Sequence, residues 1–217
     1  SQGADEGLGS GAQSRRVELD LDELADRGFV VPSGRPNVLT DEFRVIKRPL
    51  INNFLGRGVP KAPQGNLIMI SSALPGEGKT FTAINLALSI AAEIDNTVLL
   101  VDADVAHPAV QKTLGMQEGM GLLDVLTGQC SVRDAISRTN IDKLTVMQAG
   151  FPQDRATEML SSGAMINLLQ EMASRYADRI IVFDLPPLLL TTEARVMAGY
   201  AGQLVLVAVS YTHLTLP

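Results

Sequence analysis

Three stretches of the chain carry side chains suited to handling a phosphate. The first is Ser71-Ser72-Ala73-Leu74-Pro75-Gly76-Glu77-Gly78-Lys79-Thr80. Gly76 and Gly78 let the backbone turn so that its N–H groups converge on one point, and a helix starting there adds partial positive charge. Lys79 can reach the outer phosphates of a nucleoside triphosphate, and the Thr80 hydroxyl is a ligand for Mg²⁺. The expected nucleotide-binding residues are Pro75, Gly76, Glu77, Gly78, Lys79, Thr80 and Phe81. Ala73 stands where the pattern G-x-x-x-x-G-K-[ST] has its first Gly. The other two stretches end in carboxylates. Asp102 closes Thr97-Val-Leu-Leu-Val, and Asp184 closes Arg179-Ile-Ile-Val-Phe. A carboxylate at the end of such a strand serves a phosphate-bound Mg²⁺, directly or through water. The expected metal residues are Thr80, Asp102 and Asp184. Asp104 follows close behind, so one of the pair can face the outer phosphate while the other turns aside. A helix cap or turn acid is the competing reading for Asp102, set below the metal reading because a phosphate loop lies beside it. For Asp104 both readings stay open.

These residues need elements to hold them. Asn66-Leu-Ile-Met-Ile-Ser reads as a buried strand, and Phe81–Ala92 has apolar residues at helical spacing. Further strands are predicted at 97–101, 143–147, 179–184 and 202–209. Helices are predicted near 109–114, at 132–136 behind a Ser131 cap, at 164–176 and at 191–200. Residues 148–155 and Leu185-Pro-Pro-Leu read as loops, and no internal repeat is found. Alternating strands and helices imply an α/β, P-loop NTPase-like fold with a mainly parallel sheet and helices on both faces. In such a sheet, ligands bind beyond the carboxyl ends of the strands, which is where all three stretches lie.

Composition agrees. Of 217 residues, 46% are hydrophobic, 4% are aromatic and none is Trp, so the core is aliphatic, as a sheet covered on both faces requires. The net charge of −6 gives no footing for nonspecific nucleic-acid binding. A single Cys130, in a loop-like spot, excludes an internal disulfide and fits a reducing cytoplasm. No apolar run is long enough to span a membrane, and no signal peptide is found.

Four regions are expected. Residues 1–16 read as a Gly/Ser-rich linker, and the absence of an initial Met suggests a piece of a longer protein. Residues 17–65 form an N-terminal helical and loop extension. It holds a short helix over 17–28 and a second over 41–48, capped by Thr40 and kinked or stopped by Pro49. Asp41, Arg44 and Lys47 are spaced on one face of that second helix. The spacing alone favours a solvated face with internal charge pairs over a docking face. Residues 66–209 form the P-loop domain. Residues 210–217 break the pattern and read as a non-native tail resembling translated sequencing adapter, so Tyr211 and His213 carry no functional weight.

Ser-Ala-Leu-Pro-Gly-Glu-Gly-Lys-Thr, Val-Leu-Leu-Val-Asp-Ala-Asp, Gly-Leu-Leu-Asp-Val-Leu-Thr-Gly, Glu158-Met-Leu-Ser-Ser and Ile-Ile-Val-Phe-Asp-Leu-Pro-Pro follow one another in that order. Over residues 40–209 the chain thereby resembles the cytoplasmic domain of bacterial tyrosine kinases that govern exopolysaccharide or capsule synthesis. That family is itself similar to the septum-site and partition ATPases. The resemblance implies a protein tyrosine autokinase using ATP and Mg²⁺. Lys79, Asp102 and Asp104 would be catalytic, with Asp102 the base or orienter for the tyrosine hydroxyl, Asp104 assisting and Asp184 a Mg²⁺-water ligand. It also implies a ring-like homo-oligomer joined through Asp41, Arg44 and Lys47, with tyrosine-bearing protein substrates. The implied activator is a membrane polysaccharide co-polymerase that holds the chain at the inner face of the bacterial membrane. Ala106 stands where the family usually has Arg, and the family's C-terminal tyrosine cluster is absent. Two alternatives remain open here. A partition- or septum-type switch ATPase usually carries a second Lys where this chain has Leu74. A noncatalytic nucleotide-binding regulator is kept in play by Ala106.

Overall fold

The computed structural model describes residues 15–32 and 37–209. A seven-stranded sheet runs in the order β1-β4-β5-β3-β6-β2-β7. Its strands are β1 (Arg16–Val17), β2 (Leu67–Ser72), β3 (Thr97–Asp102), β4 (Ile136–Thr139), β5 (Leu144–Met147), β6 (Arg179–Asp184) and β7 (Gln203–Val207). Neighbouring strands are parallel except for β4 against β5. The helices are α1 (Leu21–Asp26), α2 (Val38–Leu55), α3 (Lys79–Ala91), α4 (Val110–Thr113), α5 (Leu122–Leu126), α6 (Val132–Ala135), α7 (Ala156–Leu160), α8 (Gly163–Arg175) and α9 (Thr192–Ala198).

Strand alternation divides the core in two, because successive side chains point to opposite faces. Ile68, Ile70, Val98, Leu100, Ile180 and Val182 pack with α2 and α3 on one face. Leu67, Met69, Leu99, Val101, Ile181 and Phe183 pack with α5, α8 and α9 on the other. The expected α/β architecture, with helices on both faces of a mainly parallel sheet, is the one observed. Strand β6 lies between β3 and β2. The register Ile70↔Asp184 and Asp102↔Asp184 therefore brings the phosphate loop and both strand-end aspartates to one edge of the sheet.

Several boundaries differ from the sequence reading. Arg16, assigned to the linker, is in β1 opposite Arg138. Residues 1–14, 33–36 and 210–217 lie outside the described residues, and with them most of the linker and the tail. The first helix is shorter than expected, capped by the Asp20 side chain. Helix α2 starts earlier, because the Asn37 side chain, not Thr40, accepts the N–H of Thr40 and caps it. It also runs through Pro49 to Leu55. Pro49 removes one backbone hydrogen bond, but Leu50, Ile51 and Phe54 beyond it are all buried and hold the helix on the core. Strand β4 and helix α7 were not anticipated.

The clearest correction concerns Lys47. It does not share an exposed face with Asp41 and Arg44: its side chain is only 8% exposed, its Nζ donates to the Ser89 carbonyl at 2.7 Å, and it pairs with Glu93. The ammonium thus sits at the C-terminal end of α3, where the helix dipole favours a cation. Asp41 and Arg44 pair with each other in solvent, 2.6 Å apart. Lys47→Ala is expected to cost about 1–3 kcal/mol, since it strips the partner from a buried carbonyl. Arg44→Ala should stay within about 0.5 kcal/mol, as exposed ion pairs contribute little. Urea unfolding of the two variants checks the contrast.

Candidate nucleotide-binding site

The loop between β2 and α3 is shaped by two left-handed residues, Gly76 at φ +81° and Gly78 at φ +91°. A side chain at either φ would be strained by roughly 1–2 kcal/mol. The Glu77 carboxylate folds back and accepts the N–H of Leu74 at 2.7 Å, tying the loop to itself. Ser72 Oγ donates to the Leu74 carbonyl at 2.7 Å. Ser71 Oγ donates to the Pro186 carbonyl at 2.7 Å, so the loop strand is fastened to the segment after Asp184. The sequence reading missed this link. Its signal was a buried hydroxyl at a strand end facing a rigid Pro-Pro turn. Phe81, expected near the nucleotide, turns its ring to Phe29 with centroids 5.1 Å apart.

The charged side chains converge as the strand register requires. Lys79 Nζ lies 2.7 Å from Asp104 Oδ2 and 3.6 Å from Asp184 Oδ1. Thr80 Oγ1 donates to Asp184 Oδ2 at 2.6 Å. Asp184 is fully buried, and its Oδ1 has no hydrogen-bond partner among the described residues. Burial is the main cause that pushes the Asp184 carboxyl up to about 6, while Lys79 and Thr80 pull the other way. Burial alone would lower Lys79, but Asp184 and Asp104 outweigh it, so its pKa stands above the ordinary value.

Asp102 has a different post from the one preferred on sequence grounds. Its Oδ1 accepts from the Asp104 N–H at 3.2 Å, and its Oδ2 from Ala109 and Val110 N–H, each at 3.0 Å. Both oxygens are therefore committed to the backbone from β3 to α4, the cap and turn arrangement set as the competing reading. Burial first, and the Asp184 charge next, push its carboxyl up to about 7. Asp104 is the member of the pair that meets the loop lysine.

This donor set fits a phosphate-held divalent cation. A hydroxyl and a carboxylate with a buried oxygen that accepts no hydrogen bond are hard ligands of the kind Mg²⁺ takes. Among the described residues, no group of three or more His, Cys, Asp or Glu forms a metal cage. An ion here would complete its shell with phosphate oxygens and water. Among the described helices, none is long and apolar enough to cross a membrane.

Comparison with known proteins agrees with this geometry. A family profile described as an AAA domain matches residues 65–216. The tyrosine-protein kinase YwqD of Bacillus subtilis (strain 168) is 36% identical over 140 residues, 64% of this chain and 58% of that protein. The crystal structure of the VpsO kinase domain superposes with a TM-score of 0.64 at 30% identity, covering 77% of this chain and 79% of that one. The septum site-determining protein MinD of Pyrococcus horikoshii OT3, solved with Mg-ADP, superposes with a TM-score of 0.53 at 25% identity, covering 65% of this chain and 56% of that one. The chain spans little more than half the length of YwqD, and 19% of the length of a longer curated relative. By the extent of these matches, the chain belongs to the AAA domain family of P-loop ATPases, on the branch it shares with the bacterial tyrosine-protein kinases.

Proposed function

We propose that the chain is the catalytic domain of an ATP-dependent protein tyrosine autokinase that regulates exopolysaccharide or capsule synthesis. The carrying observation is the convergence of Lys79, Thr80, Asp104 and Asp184 at the carboxyl edge of β2, β3 and β6. The likeness to the tyrosine-protein kinase YwqD supports transfer to protein over simple hydrolysis.

The residues divide the work as follows. The loop N–H groups between Pro75 and Thr80 bind the phosphates, and the Lys79 ammonium balances charge on the outer ones. Thr80 and Asp184 would hold Mg²⁺, which when bound supplies the positive charge that offsets charge developing on the transferring phosphoryl group. Asp104 orients the tyrosine hydroxyl and takes its proton as the bond from the tyrosine oxygen to the γ-phosphorus forms and the bond from the γ-phosphorus to the β,γ-bridging oxygen breaks, releasing ADP. Asp102 acts through its backbone bonds, fixing the segment that carries Asp104. In this reading the domain works in a ring-like homo-oligomer, with the exposed Asp41 and Arg44 at subunit contacts. A membrane polysaccharide co-polymerase activates it at the inner face of the bacterial membrane, and its substrates are tyrosine-bearing proteins.

Incubation with γ-labelled ATP, Mg²⁺ and a glutamate–tyrosine copolymer tests this reading. The expected result is label on tyrosine, reduced at least a hundredfold in Asp104→Asn with nucleotide affinity largely kept. Release of labelled phosphate with no protein label would overturn it in favour of a switch ATPase, the role to which the MinD likeness points.

A further inference from the structure

At the opposite end of the sheet from the phosphate loop lies a second site that the proposed phosphoryl chemistry does not use. Strand register places Arg138 beside Thr145 across β4 and β5. Thr145 is level with Leu99, and Leu99 with Ile181, two residues on from Arg179. Arg138, Thr145 and Arg179 therefore project from one face of the sheet. Helices α6 and α8 add Arg133 and Arg175 above them, and together these groups line a cavity of about 520 Å³. Arg179 stands five residues before Asp184 on β6, roughly 17 Å from the phosphate-loop edge at about 3.3 Å per residue.

Four guanidinium groups around one cavity are conspicuous in a chain of net charge −6, and acids do little to neutralise them. Arg175 pairs with Glu171 at 2.6 Å in solvent. Among the described residues, Arg133, Arg138 and Arg179 have no carboxylate at ion-pair distance. Asp134, next to Arg133, gives its carboxylate to the hydroxyl and N–H of Ser131 instead. Arg179 is held in place by Thr145 Oγ1 at 3.3 Å and by the ring of Tyr176, 5.5 Å beneath its guanidinium carbon. The floor is apolar, formed by the buried Val132 and Ile136. Planar guanidinium forks recognise phosphoryl oxygens in pairs. An apolar floor with an aromatic wall suits a ring attached to that phosphoryl group.

We propose that this cavity is a docking site for a phosphotyrosyl side chain presented by another protein chain. The proposal rests on the kinase reading only in that phosphotyrosine is that reaction's product. The site would gather phosphorylated copies or targets without touching the catalytic edge.

The test is fluorescence anisotropy with a dye-labelled peptide carrying one phosphotyrosine among Gly and Ala. The unphosphorylated peptide and inorganic phosphate serve as controls. The parent chain is expected to bind the phosphopeptide at least tenfold more tightly than its tyrosine counterpart. Arg133→Ala/Arg138→Ala should weaken it tenfold or more, since each lost charge-assisted contact is a large fraction of such a binding energy. Arg133→Lys/Arg138→Lys should fall between, keeping charge but losing the fork. Both variants should keep the parent's affinity for Mg·ATP, which separates this proposal from the kinase reading. If the alanine pair melts early, Arg133→Gln alone, on the exposed side of α6, is expected to weaken binding about threefold. Equal binding of both peptides, undiminished binding by the arginine variants, or displacement by inorganic phosphate at the peptide's own dissociation constant would each overturn the proposal. The last of these would reduce the pocket to a phosphate site.

Discussion

Lys79→Met is expected to destabilise the nucleotide-free domain strongly at pH 8 and much less at pH 5.5. Lys79 is the cation shared by two buried carboxylates, Asp104 and Asp184, with Asp102 close behind. Removing one partner of a buried pair leaves uncompensated charge, at a cost of about 3–5 kcal/mol. For a chain of this size that corresponds to a melting temperature lower by on the order of 10 °C. At pH 5.5 the remaining carboxylates can take up protons and escape most of the penalty. Adding Asp104→Asn should restore much of the loss at pH 8, because it removes the charge that Lys79 neutralised. Thermal melts of the two variants at both pH values check this. A double variant less stable than Lys79→Met would contradict the pairing.

Asp184→Asn should have the opposite effect on stability while abolishing phosphoryl transfer. The folded protein holds the Asp184 proton up to about pH 6, whereas an unfolded carboxyl releases it near its ordinary value of 3.8. Between those values the folded state binds the extra proton, so the contribution of this group to stability falls as pH rises from about 4 to about 6 and is level above that. The asparagine removes this dependence. It is expected to raise the stability of the nucleotide-free domain at pH 8 by up to about 3 kcal/mol, at roughly 1.4 kcal/mol per pKa unit. Added Mg·ATP should reverse the ranking of the two proteins. Such a carboxylate is retained at a cost in stability because the site needs it, as is common where function and folding compete. Melting curves across pH 4–8, with and without Mg·ATP, provide the measurement. A variant that is less stable than its parent at pH 8 would show that Asp184 is held by more than its bonds to Thr80 and Lys79.

What the sequence made legible follows from how strongly each element is specified. Strands β2, β3 and β6 are buried on both faces, so they read as unbroken apolar runs, and the residue that ends each run stood out. The loop glycines were legible because left-handed backbone is costly for other residues. Strand β4 hid because Ile136-Ser-Arg-Thr is short and polar, and β5 supplies most of its pairing. Lys47 was misplaced because a helical row of Asp, Arg and Lys looks solvated. Its long apolar stem lets the ammonium pass through the core side of α2 and emerge at the end of α3. Asp102 and Asp104 could not be ranked from spacing. The decision lies in the backbone N–H groups of Asp104, Ala109 and Val110, which the turn toward α4 gathers around Asp102. The arginine cavity was invisible for a similar reason, since its residues come from three strands and two helices far apart in the chain.

The proposed chemistry requires the loop at Ser71–Thr80 to be a phosphate-binding loop centred on Lys79. Titration calorimetry of Mg·ATP into the parent chain and into Lys79→Met at pH 5.5, where the variant is expected to stay folded, tests this most directly. Saturable, Mg²⁺-dependent binding by the parent is expected, weakened at least a hundredfold in the variant. Equal affinity for Mg·ATP in the two proteins would contradict it.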